Sequence, residues 1–255
     1  MNGMNNRNDT NDRSDTEFLF QAPTVIQGAL DSELDLLLNT FDVLQKQVIG
    51  GFVFYECRYK KTPILISKTK IGEICSATAT ALAIAHYQPR RIINQGTAGA
   101  LVDWLDTGDV VIGKRICYFS GFSTDEARDI EAINPWKTDE YHSIDGDVIS
   151  YRANEGLLQA VENAVRALPH RVYFDTVGSG DIWTKDPIEI RRNHSLYGAV
   201  CEAMECAGAY LSANSMGVPV ITVRAISNNE LKHQPYSEAS GVLAQRFVLE
   251  LLERL

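Results

Sequence analysis

The sequence predicts a mixed α/β domain. Three observations carry this expectation. From Pro23 onward, short β-branched runs alternate with segments of helical periodicity, and several of the runs end in glycine or small polar residues. The 255-residue chain is also 45% apolar and 22% charged, a globular balance. A chain of this length buries roughly three quarters of its extended surface on folding, so one core over residues 17–255 needs no disulfide or structural metal. No internal repeat or interdomain linker is evident.

Residues 1–16, MNGMNNRNDTNDRSDT, hold five Asn and three Asp and predict a disordered tail without the apolar segment of a signal peptide. TVIQG (24–28) reads as a strand. Apolar residues at 34, 36, 37, 38, 41 and 44 predict a helix from Asp31 to Leu44, with Asp31 capping its first turn. FVFYECRY and PILISK, separated by Lys60-Lys61-Thr62, predict a hairpin. Ile74 to Tyr87 follows as a small-residue helix, too short and too rich in Ala and Thr to cross a bilayer. RIINQG is a strand running into a Gly-rich turn, and DVVIGKRICY is another. Residues 120–145 form a long polar excursion. Tyr118, Phe119, Phe122, Trp136 and Tyr141 supply apolar surface there for closing a pocket or for a dimer contact. RVYFDTVGSGD reads as a strand ending in glycines, Glu202 to Met216 as a helix, VPVITVRAIS as a buried strand, and Ser237 to Leu255 as a terminal helix.

Charge excludes whole classes of partner. With 24 Lys and Arg against 33 Asp and Glu, the net charge of −9 repels phosphate backbones and anionic membranes. Arg90-Arg91 and Arg191-Arg192 are isolated pairs, so no nucleic acid or membrane partner is expected. Cysteines 57, 75, 117, 201 and 206 form no CxxC pair, which fits a reducing cytoplasm. GDVVIGKR (108–115) matches GxxxxGK, but Arg115 replaces the required hydroxyl and the segment reads as a strand, so it is not a phosphate loop. Histidines 86, 142, 170, 194 and 233 lack ligand spacing. Neither a metal nor a cofactor is expected. The polar strand ends QGALDSE, NQGTAGA, VGSGDIW and AISNNE would meet outside the carboxyl ends of the strands, where open α/β sheets bind ligands.

In chain order, TVIQGALDSEL, TKIGE, IINQGTAGAL followed by GDVVIG, VGSGDIW, MECAGAY and VPVITVRAIS resemble the methylthioadenosine/S-adenosylhomocysteine nucleosidases of the nucleoside phosphorylase superfamily. The resemblance spans residues 24–255 and is weak only over 118–150. It implies a three-layer α/β/α sandwich around a twisted mixed sheet, a homodimer, and hydrolysis of the N-glycosidic bond of a purine nucleoside. Phosphorylase relatives use phosphate in place of water.

Residue by residue, the resemblance places Glu33 on the carboxylate that takes the proton from attacking water, which is otherwise a weak nucleophile. Without the resemblance, the same Glu is a first-turn acid favoured by the helix dipole. Glu205 matches the carboxylate that holds the ribose hydroxyls, and Met204 the residue under the sugar. Glu202 competes for the Glu205 role. Two carboxylates beside an oxocarbenium-like sugar also stabilise its charge. Trp183 stands where an aromatic stacks on the purine, with the Ile182 and Thr184 backbones at the base edge; Ile71 contacts the sugar and Thr97 lines the sugar and water site.

Two departures bear on chemistry. Where phosphorylases hold phosphate with Arg, this chain has QGALDSE and Asn94, which favours hydrolysis. Where the nucleosidases have an Asp that helps protonate adenine N7, this chain has Asn228, with Glu230 two residues on as a possible substitute acid. The expected function is a purine nucleoside N-ribosyl hydrolase. The alternatives are a 6-oxopurine nucleoside hydrolase resembling the futalosine hydrolases, which carry Asn after the Ser, or a catalytically weakened nucleoside-binding protein.

Overall fold

The computed structural model describes residues 21–120 and 148–255, together with the backbone of short strands at 122–124, 130–132 and 143–145. The tail expected over 1–16 and the side chains of Phe122, Trp136 and Tyr141 lie outside the described residues.

The chain begins with β1 (Thr24–Gly28), a 3-10 turn (Asp31–Glu33) and α1 (Asp35–Thr40). An antiparallel meander of β2 (Asp42–Ile49), β3 (Phe52–Tyr59) and β4 (Thr62–Lys68) follows, then α2 (Glu73–Tyr87), β5 (Arg91–Ala100) and β6 (Val110–Tyr118). After β7 (Phe122–Thr124), β8 (Ile130–Ala132), β9 (Ser143–Asp145) and β10 (Val148–Arg152) come α3 (Glu155–Val165), β11 (Val172–Ser179) and α4 (Pro187–Tyr197). β12 (Cys201–Ala203), α5 (Cys206–Ser215), β13 (Val220–Asn228) and α6 (Ala239–Leu252) complete the fold.

The main sheet runs β2-β3-β4-β1-β5-β12-β11-β6-β10-β9, and β13 pairs with both β5 and β6. Strands β5, β12, β11, β6 and β13 therefore close into a ring, and β1 lies parallel to both β4 and β5. Side-chain alternation sorts the core into two faces. Val25, Ile92 and Val111 meet Ala79 and Ala83 of α2 and Tyr210 of α5. Ile26, Ile93 and Ile112 meet Leu37 of α1, Val161 of α3 and Phe247 of α6. The result is three layers, helices on both sides of a mixed sheet. The α2–α5 contact is close because residue 208 is glycine: a Cβ there would lie 2.2 Å from the Glu73 carbonyl oxygen.

Several elements differ from the sequence expectation. The helix expected over 31–44 is a 3-10 turn plus the six-residue α1, and Phe41 turns extended so that β2 begins at Asp42. Asp31 does not cap; it pairs with Lys68 at 2.6 Å, while the Glu33 carboxylate accepts from the Leu30 N–H. NQGTAG is not a turn, because β5 runs on to Ala100 with β13 paired alongside as far as Gly99. The helix expected from Glu202 begins at Cys206, since residues 201–203 are held as a strand between β11 and β5.

Candidate active site

A cavity of about 470 Å³ opens where β1, β5, β12 and β13 deliver their polar ends. Glu33, Ile71, Thr97, Ile182, Trp183, Met204, Glu205 and Asn228 all line it. Of the residues expected from sequence, Thr184 and Glu230 stand back; Thr184 is buried, and its N–H and hydroxyl both donate to Glu202.

Glu33 is held by four donors. Ala29 N–H and Leu30 N–H reach Oε2 at 2.9 and 3.3 Å, and Thr97 N–H and Oγ1 reach Oε1 at 2.9 and 3.3 Å. The Glu33 carbonyl accepts from Gln95 Nε2 at 2.6 Å, so backbone and side chain are both tethered to β5. Such a carboxylate is aimed before any ligand arrives, which is what assisting one water molecule requires.

Glu205 ends β12's loop at the start of α5, with Oε1 accepting from Gly72 N–H at 3.4 Å. Burial raises its pKa, opposed by Arg224 and reinforced by Glu33. Arg224 was not singled out from the sequence. Its guanidinium is 1% exposed beneath the cavity, 4.0 Å from Glu205 Oε2, and donates to Asn94 Oδ1 and the Cys206 sulfur. Burial works against its charge, but the facing Cys206, Glu205 and Glu33 raise its pKa overall. A Cβ at Gly96 would strike both Arg224 Nη1 at 2.5 Å and Glu33 Oε1 at 2.7 Å, so glycine leaves room for both groups beside β5. A charged residue inside the apolar run VPVITVRAIS was the available signal, because an Arg is buried only when paired.

Asn228 is buried, with Oδ1 accepting from Ser227 Oγ at 2.9 Å and Nδ2 donating to Glu230 Oε1 at 3.3 Å. Glu230 does not line the cavity; it accepts the hydrogen bond from the Asn228 amide behind the lining. Trp183 is 48% exposed at the mouth, with Tyr236 5.8 Å away and Lys185 Nζ over its ring at 4.6 Å, so it is not a core residue. Asn94 faces away from the cavity, bonding Gln27 and Arg224. The sign of the lining comes instead from acids: among the described residues, its ionisable groups are Glu33, Glu202, Glu205, Glu238 and Tyr236, and no Lys, Arg or His lines it.

The family model of the phosphorylase superfamily matches residues 23–254. The chain belongs to the phosphorylase superfamily. Its fold is shared with futalosine hydrolase of Helicobacter pylori strain 26695, at 21% identity over 92% of this chain and 98% of that one, with a TM-score of 0.77. It is shared equally with the 5′-methylthioadenosine/S-adenosylhomocysteine nucleosidase of Neisseria meningitidis in complex with methylthio-immucillin-A, at 20% identity over 92% and 100% of the two chains and a TM-score of 0.77. The S-adenosylhomocysteine nucleosidase of Streptococcus pyogenes in complex with 5-methylthiotubericidin gives 21% identity, the same 92% of this chain and 98% of that one, and a TM-score of 0.76.

Proposed function

We propose that the protein is a purine nucleoside N-ribosyl hydrolase of the methylthioadenosine/S-adenosylhomocysteine nucleosidase type. The observation that carries this is the pre-aimed Glu33 carboxylate in an acid-lined cavity shared with Glu205, Trp183 and Asn228. Trp183 stacks on the base, Met204 and Ile71 contact the sugar, and Glu205 accepts from the ribose hydroxyls. Glu33 takes a proton from water as the water oxygen bonds to C1′. The C1′–N9 bond breaks, its electron pair enters the purine, and solvent supplies the proton at N7. The two carboxylates, Glu33 and Glu205, stabilise the positive charge on the sugar as it develops. The free cysteines fit a cytoplasmic enzyme, and the exposed Ile71, Ile182 and Trp183 of the cavity lining, with exposed Ile74 on α2, fit a homodimer.

Phosphate is excluded from the reaction by charge, since an anion entering this cavity meets carboxylates and no lining cation. Incubation with methylthioadenosine, S-adenosylhomocysteine, adenosine, inosine, guanosine and futalosine is expected to release a free purine and a free sugar, with or without phosphate. Strict phosphate dependence with sugar 1-phosphate as product would show a phosphorylase. The 6-oxopurine reading stands beside the adenine one because the residue lining the cavity after Ser227 is Asn228, an amide, where the resemblance expects an acid.

A further inference from the structure

Glu73, the first residue of α2, is a buried acid outside the cavity lining to which the reaction above gives no role. Its carboxylate lies at the start of a different helix. α5 begins at Cys206, and its N-cap residue is Glu205, whose side chain makes no capping bond. The first N–H groups of a helix have no partner within it, and left bare they draw a neighbouring carboxylate. Here those of 206, 207 and 208 are all taken from outside the helix. Cys206 and Ala207 N–H donate to Ser179 Oγ at 2.9 and 3.0 Å, and Gly208 N–H donates to Glu73 Oε2 at 2.5 Å. The Ser179 hydroxyl donates in turn to Glu73 Oε1, so one acid closes the whole set.

The first turn of α2 also holds Glu205 itself. Ser76 Oγ donates to the Glu205 carbonyl at 2.7 Å, and Gly72 N–H reaches Glu205 Oε1 at 3.4 Å. Asp181 fixes that turn from the far side: its Oδ1 accepts from Glu73 N–H at 2.7 Å, since the N-cap of α2 is Gly72, with no side chain to cap it. Residues 71–73 are thus tied on one side to the segment leading into Ile182 and Trp183, and on the other to the turn that carries Met204 and Glu205. Burial pushes the Glu73 carboxyl up to about 7, opposed by the Ser179 and Gly208 bonds and reinforced by the Glu205 and Asp181 charges. An acid so placed is costly to keep charged, and the N–H groups of α5 offset part of that cost.

We infer that Glu73 is a positioning residue: by occupying the first turn of α5 together with Ser179, it leaves the Glu205 carboxylate free to accept from the sugar hydroxyls. The inference rests on the nucleosidase reading and adds to it the device that keeps the sugar-binding acid aimed into the cavity. Without the Glu73 carboxylate, Gly208 N–H loses its acceptor three residues from Glu205. The Glu205 carboxylate then turns back to cap its own helix, and the hydroxyls lose their partner.

The test compares Glu73→Ala with the wild-type enzyme on adenosine and on 2′,3′-dideoxyadenosine, and on the corresponding inosine pair. Loss of the electron-withdrawing hydroxyls weakens the glycosidic bond, so each comparison is variant against wild type on one substrate. The expected result is at least a ~10-fold loss in kcat/KM on the ribonucleoside, and a change within about threefold on the dideoxynucleoside, which offers Glu205 nothing to hold. Helix loosening alone would lower both substrates together. If Glu73→Ala does not fold, Ser179→Ala, which bares the 206 and 207 N–H groups, is read on the same pairs and decides in its place. Equal losses on the two substrates, or no loss on either, overturn the Glu73 assignment while base release by the wild type upholds the nucleosidase. No base released from any nucleoside by the wild type overturns both.

Discussion

Glu33→Gln is expected to lower turnover at least ~100-fold while ligand affinity stays within a few-fold, because general-base assistance contributes about 10² to 10⁴. The structure adds a cost that the sequence did not suggest. Both carboxylate oxygens accept backbone N–H groups, so the amide nitrogen of Gln must face donors on one side. A stability loss of about 1–3 kcal/mol follows, and turnover is to be measured well below the melting transition. Turnover, binding and melting recorded on the same preparation separate the two effects. Near-wild-type turnover would reduce Glu33 to an anchor for the turn after β1.

Asn228→Asp is expected to raise the adenosine-type to inosine-type ratio of kcat/KM by at least ~10-fold. The new carboxyl would still accept from Ser227 Oγ, but its second oxygen would face Glu230 Oε1, which now takes a hydrogen bond from Nδ2 at 3.3 Å. Two carboxyls at that separation hold a proton between them more tightly than either would alone. The Asp is then able to donate to N7 of adenine, which Asn cannot do, and its repulsion of O6 penalises the oxopurine. Steady-state kinetics on the two nucleosides checks this. A flat ratio, with adenine release abolished by Glu230→Gln, would make Glu230 the acid and Asn228 a residue that only positions it.

What was legible in the sequence follows the range of the interactions involved. β1, β3 and β4 read correctly because their signal is local: β1 and β4 are short β-branched runs buried along nearly their whole length, and β3 partly alternates buried with half-buried positions. β2 did not, because its outward residues leave DVLQKQVI largely exposed with no clean period. α3 and α4 were not read from the sequence although each carries a start signal, Asn154, whose side chain accepts from Leu157 N–H, and Asp186-Pro187. Glu202 was assigned to a helix because three residues show no period; what makes them a strand is pairing with Val177 and Gly99, distant in sequence. Arg224 escaped for a related reason. Its partners come from two other places in the chain, Asn94 on β5 and the adjacent Glu205-Cys206, and only the fold brings them together.

The acid-lined cavity and the aimed carboxylate make one claim that a single measurement addresses: the oxygen that bonds to C1′ comes from water. The enzyme is run to completion on its best nucleoside in ¹⁸O-labelled water with unlabelled phosphate present, and the released sugar is trapped by rapid reduction before exchange at the anomeric carbon. Mass spectrometry is expected to show one ¹⁸O in free sugar and no sugar phosphate. Unlabelled sugar 1-phosphate as the first product would contradict the hydrolytic role given to Glu33.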